Sequence, residues 1–322
     1  MPRFAVLAAA VKRLFKDAFA SYLILIRLMI PAVIIVKALD MMGGTRVLAL
    51  MLEPVMQWVG LPAEVGIVWA AAMITNLYTG VVVFADLSTD IPLSIAQVSV
   101  LGTMLLLAHG LPVEGAVARA TGIPWAATLL IRLGGALVIG SLLHLFYSVT
   151  GTLQEPATML WRPEATDPSL MSWALSQLKT LAMIFLIIVT LMMLLRVLKL
   201  LGIERLMHAM LAPLLRVIGI GREASNVTII GFTLGLSIGA GLLIREAQTG
   251  KLSRRDIFLT MAFLGMCHSI IEDTLVILLL GADLSAILWA RLAFAIIVTA
   301  LLARAGRWIP TLQHDTTPPA RG

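Results

Sequence analysis

The sequence predicts an all-α integral membrane protein. It reads as two inverted-topology repeats, each with three transmembrane helices and one re-entrant hairpin, and with both termini cytoplasmic. Three observations lead there: a composition too apolar for water, an internal repeat at one fixed offset, and the placement of the basic residues.

The chain has 322 residues, 60% hydrophobic and 13% charged, with a mean hydropathy of +0.98. Soluble domains carry about 25% charged residues. So much apolar surface needs lipid as its solvent, which excludes a soluble enzyme and a disordered chain. The sole cysteine, Cys267, excludes an intrachain disulfide framework. The net charge of +6 bears on orientation in the bilayer and does not point to nucleic acid.

The repeat is read next. Segment 37–64 aligns with 196–223 without a gap, at an offset of 159 residues. The identities include Gly43/Gly202, Arg46/Arg205, Pro54/Pro213, Gly60/Gly219 and Glu64/Glu223. The same offset pairs Gly80 with Gly239, His109 with His268, Glu114 with Asp273, Gly122 with Gly281 and Arg132 with Arg291. In stretches this apolar, chance does not keep the rare polar residues in register. The expected organisation is a basic amphipathic interfacial helix (1–18), repeat one (19–147), an external linker (148–177), repeat two (178–306) and a cytoplasmic tail (307–322).

A crossing takes about 20 apolar residues as helix. Repeat one offers 19–39, 65–86, 92–120 and 125–147. Repeat two offers 178–198, 225–244, 257–281 and 284–305. Basic residues separate spans from hairpins. The loops around 225–244 carry five Lys/Arg on one side and four on the other, so both belong inside. One crossing cannot return to the face it left. Segment 225–244 is therefore expected to be a hairpin entered from inside, turning at its glycines. Its counterpart 65–86 has the opposite signature and enters from outside. This arrangement puts 17 Lys/Arg inside and four outside. Segments 47–59 and 206–218, each broken by Pro54 or Pro213, are expected to be short interfacial helices leading into the hairpins.

Charged groups within spans are costly and line cavities or pair with one another. The third stretch of each repeat holds a cluster: His109 and Glu114, then His268, Glu272 and Asp273. Gly110 and Pro112 should interrupt the first of these helices. Glu114 with Arg132 and Asp273 with Arg291 are read as intramembrane ion pairs or gates. Candidate solute contacts are Asn76, Thr79, Gly80, His109, Ser237, Gly239, His268 and Glu272. Glycine-interrupted segments in corresponding positions mark transporter sites, although small residues also permit close helix packing. No ligand spacing for a metal is recognisable. HExxH and Walker motifs are absent from the sequence, so no enzyme is expected; the letters G-x-S-x-G occur at 235–239, within the glycine-rich hairpin segment.

EPVMQWVGLPAE followed by ITNLYTG, with the echo APLLRVIGIGRE and SNVTIIGFTLGLSIGAG, resembles the Gate or nucleoside-recognition domain. That superfamily includes concentrative nucleoside transporters, the membrane part of the ferrous-iron transporter B and spore maturation proteins A and B. The resemblance covers nearly the whole chain as two copies. It implies an inner-membrane protein of bacterial type with re-entrant hairpins and a nucleoside-like solute. This chain has no GTPase loop. The expected function is a permease for a small polar solute, working by alternating access. A divalent-metal permease and a non-transporting scaffold or sensor are the alternatives. No cofactor is expected. A coupling proton or sodium ion, the lipid bilayer, the solute and a second copy of the chain are the expected partners, with no nucleic acid.

Overall fold

A computed structural model describes residues 2–87, 91–160, 169–234 and 236–305, apart from the side chains of 2–11, 204 and 234–240. The tail 307–322 and part of the linker, 161–168, lie outside the described residues. Within them the chain is helical, without a β-strand.

Helix α1 spans Pro2–Met41 without interruption. The separate interfacial helix expected at 1–18 is continuous with the first span, because no glycine, proline or cap near residue 18 stops it. Gly43, at φ 72°, turns the chain into α2 (Gly44–Trp58). Pro54 lies inside α2 and does not break it. Its ring denies the Leu50 carbonyl a donor, but fifteen residues of helix carry on around the defect. A bend of 103° then leads into the first hairpin. The arms are α3 (Gly66–Ile74) and α4 (Leu77–Leu87), which pack against each other. At 9 and 11 residues, each arm reaches about halfway through a bilayer.

Helix α5 (Ile95–Leu107) starts from a Ser94–Gln97 capping box and stops at a break over Ala108–Gly110. Helix α6 (Leu111–Ala120) resumes after it. Helices α7 (Trp125–Leu129) and α8 (Gly135–Thr150) form one rod through a π-helical turn at Leu130–Gly134. The second half follows as α9 (Leu170–Leu200), α10 (Ile203–Val217, running through Pro213), and the hairpin arms α11 (Arg222–Leu234) and α12 (Leu236–Gln248). Then come α13 (Arg254–Met266), α14 (Glu272–Leu278), a π-helical turn at Ser285–Ala290 and α15 (Arg291–Ala305).

Helix ends recur at the 159-residue offset: Met41 and Leu200, Gly44 and Ile203, Trp58 and Val217, Leu107 and Met266. Left-handed glycines do the same at Gly43/Gly202, Gly60/Gly219 and Gly122/Gly281. A turn that needs positive φ selects glycine, which is why these identities stood out in the sequence.

Among the described residues five helices are long and apolar enough to cross a membrane, Lys12–Met41, Ile95–Ala120, Trp125–Thr150, Leu170–Leu200 and Ser285–Ala305, or six if the bent pair Gly44–Trp58 and Ala63–Ile74 counts as one span. The expected crossing at 257–281 is not one of them, because α13 and α14 are each too short and are separated by a break. The spans differ in depth. The Ile95–Ala120 window is 78% buried inside the protein and the Lys12–Met41 window only 11%. Broken helices thus occupy the centre, while α1 and α9 expose apolar side chains such as Ile24, Ile35 and Leu178 at the periphery.

Candidate functional site

The site forms where the two broken helices meet. Each break leaves carbonyl groups without a helical donor, and a buried arginine takes them up. Arg132 Nε donates to Leu107 O at 2.8 Å. Arg291 Nε donates to Met266 O at 3.0 Å, and its Nη2 to His268 O at 2.9 Å. The hairpins close the other side of each break. Gly110 N donates to Ala72 O at 2.9 Å, and Ile270 N to Phe232 O at the same distance. Orphan carbonyls at the end of one hairpin arm therefore meet orphan donors in the broken helix of the same half.

The breaks differ in sequence and agree in backbone. Gly110 has φ 57°, and Ser269, its counterpart at the 159 offset, has φ 44°. With neither glycine nor proline, the second break was legible only through its echo of the first.

His109 and His268 sit just after α5 and α13, with ring centroids 5.1 Å apart. Both anchor Nδ1 on the carbonyl four residues upstream: Leu105 O at 2.8 Å and Leu264 O at 2.7 Å. A carbonyl only accepts, so Nδ1 carries the hydrogen and Nε2 of a neutral ring presents a lone pair. The two Nε2 atoms face two carboxylates. Glu114 Oε1 is 3.5 Å from His109 and 3.6 Å from His268. Asp273 Oδ2 is 3.9 Å and 3.7 Å away. His109, Glu114, His268 and Asp273 are all buried.

Glu114 also lies 2.6 Å from Arg132, through Oε2 and Nη1. The Asp273–Arg291 pair expected from the repeat does not form. The orphan carbonyls of α13 capture the guanidinium, and Asp273 Oδ2 is left buried without a hydrogen bond.

The other candidates take separate roles. Asn76 Oδ1 accepts from Thr79 N at 3.0 Å and from Thr79 Oγ1 at 3.3 Å, capping α4 at the hairpin tip. Its Nδ2 is buried and unpartnered. Gly80 permits the hairpin arms to touch, since a Cβ there would lie 2.9 Å from Ala72 Cβ. Glu272 Oε1 accepts from Tyr78 Oη at 2.9 Å, joining the first hairpin to α14 of the other half. The side chains of Ser237 and Gly239 lie outside the described residues.

Two features go beyond the sequence reading, which names no partner for Tyr78 and assigns Glu114 and Asp273 to arginines while giving the histidines to the solute. A signal existed for the second: His109 and Glu114 are five residues apart, as are His268 and Asp273. A crevice between the halves, walled by Thr128, Ile131, Phe258, Met261 and Gly265, has Glu114 and Arg132 in its lining.

The chain is similar to a protein of Bacillus subtilis (strain 168) described as "Uncharacterized membrane protein YvoD", with 28% identity over 289 residues. The match covers 88% of this chain and 91% of that protein. No family model matches, and no solved structure does. The comparison and the apolar helices agree on a multi-helix membrane protein. They do not reach the Gate or nucleoside-recognition family.

Proposed function

We propose that this membrane protein is a transporter or permease for a small polar solute, working by alternating access between two inverted halves. One observation carries the reading: two broken helices, one from each half, bring two histidines and two carboxylates to a shared buried centre. Ionisable groups at such depth are expensive, and lining a solute path is their usual role. A purely structural pairing accounts for Glu114 with Arg132. It leaves Asp273 Oδ2 and both Nε2 atoms unexplained.

Two features support the inverted arrangement. The basic residues divide 17 to four between the faces it defines. Residues 159 apart also touch each other: Tyr22 donates to Leu181 O at 3.0 Å, and the His109 ring packs against His268. Contact between equivalent positions is what a two-fold relation between halves produces. Under this reading the inner membrane of a bacterial-type cell is the location, and the buried carboxylates hold any coupling proton or sodium ion. The nucleoside class rests on the family resemblance. With imidazole rings 5.1 Å apart, the centre is sized for an ion, and a nucleoside would need it to open.

Uptake tests the proposal. Vesicles reconstituted with the purified chain should accumulate at least one of uridine, adenosine, Mn²⁺ or Zn²⁺ above protein-free vesicles, and His268→Asn should abolish it. Uptake of none of these, or equal uptake by the variant, overturns the reading in favour of a non-transporting scaffold.

A further inference from the structure

We propose that the shared centre is a divalent transition-metal site, with His109 Nε2, His268 Nε2, Glu114 Oε1 and Asp273 Oδ2 as ligand atoms. Two imidazole nitrogens and two carboxyl oxygens face one another, with histidine–carboxylate separations of 3.5–3.9 Å. These separations are too long for hydrogen bonds, and burial removes the water that would otherwise screen them. A cation held between these groups would offset the repulsion of two ionised acids at this depth.

The spacing fits a metal. A tetrahedral ion bound to nitrogen and oxygen at 2.0–2.2 Å sets its ligands about 3.3–3.6 Å apart. The four histidine–carboxylate separations lie within a few tenths of an ångström of that edge. The ligand atoms of His109, His268 and Asp273 all lie within 4.8 Å of one another, a group that does not include Glu114, whose Oε1 approaches the two rings alone. Asp273 is the independent pointer: only 8% exposed, with Oδ2 beside both rings and without a hydrogen bond.

The surroundings resemble the support of a metal site. Metal-bound histidines usually give their second nitrogen to a carbonyl, which fixes ring and tautomer, and both rings here do so through Nδ1. Arg132 holds the far oxygen of Glu114 and leaves the near one to the centre. Arg291 spends its charge on backbone carbonyls and leaves Asp273 to the centre. Two imidazoles, two carboxylates and no thiolate select Mn²⁺, Fe²⁺, Co²⁺ or Zn²⁺ over the all-oxygen ions Mg²⁺ and Ca²⁺ and over Cu⁺. That the ion is cargo rests on the transporter reading; that it binds does not.

The test uses the full-length chain in detergent, purified on a tag without histidine. Titration with Co²⁺ should develop the visible absorption of a four- or five-coordinate ion, and calorimetry with Zn²⁺ should give one site per chain. His268→Asn keeps an N–H where Nδ1 donates to Leu264 and removes only Nε2. It and Asp273→Asn should each weaken binding by at least about tenfold. His208→Asn should bind as the parent does, because His208 is exposed and bonded to Asn226. Gel filtration and the metal-free unfolding temperature check that each variant folds. A parent chain that binds neither metal overturns the site, as does binding unchanged in both centre variants or stabilisation by inorganic phosphate in place of the metals. Binding without Mn²⁺ or Zn²⁺ uptake leaves the site standing and removes the cargo. Nucleoside uptake without metal binding does the reverse.

Discussion

Arg132 and Arg291 are 1% and 0% exposed, the bulkiest side chains so deeply buried among the described residues, and they occupy equivalent positions with different partners. Arg132 pairs with Glu114; Arg291 holds the end of α13. Removing one member of a buried pair strands the other's charge, at about 3–5 kcal/mol, while removing both together costs much less. Glu114→Gln should therefore lower thermal stability in detergent more than Glu114→Gln combined with Arg132→Gln. Asp273→Asn should cost less than Glu114→Gln, because Asp273 has no arginine partner to strand. Equal losses from the two carboxylate variants would contradict this assignment. The sequence made the histidines, acids and arginines legible because charges are rare in its spans. It did not reveal that the second pair fails, because Arg291's partners are backbone carbonyls, and those become available only where the helix breaks.

The break itself is the decisive element. In repeat one, glycine and proline mark it. In repeat two, Ser269 bears a left-handed φ of 44° that its side chain disfavours by about 1–2 kcal/mol. Ser269→Gly should raise stability by up to about 1 kcal/mol, and Gly110→Ala should lower it by about 1–2 kcal/mol. Thermal unfolding in detergent reads both changes. The comparison isolates backbone strain, because a Cβ on Gly110 would meet nothing closer than 3.4 Å. If both substitutions destabilise, strain at these breaks is not what governs them. Other elements were legible in proportion to their local signals. Left-handed glycines marked the turns after α1 and α9. Pro54 and Pro213 misled, because a helix already held by its neighbours absorbs one missing donor. The continuity of α1 from residue 2 to Met41 was hidden by a change of composition, from basic and amphipathic to apolar, that carries no helix stop.

Across the whole molecule, burial follows the order expected of a bilayer protein with a working centre. The span Ile95–Ala120, broken between α5 and α6, is mostly buried, whereas α1 and α9 face outward with exposed isoleucine and leucine. The hairpins brace the breaks, and the halves interlock through Gly102 of α5, where a Cβ would run into Ile277 Cγ2 of α14. Alternating access at such a centre requires the halves to lie in opposite senses across the membrane. The charge distribution over the loops is the sequence-level reason to expect this. Sided labelling of single cysteines measures it directly, with Cys267 replaced by serine as the background. Pro92→Cys and Thr249→Cys place thiols at exposed positions in the matching loops before α5 and α13. The account predicts that a membrane-impermeant maleimide reaches residue 92 only from outside and residue 249 only from inside. Labelling of both from the same side would contradict it.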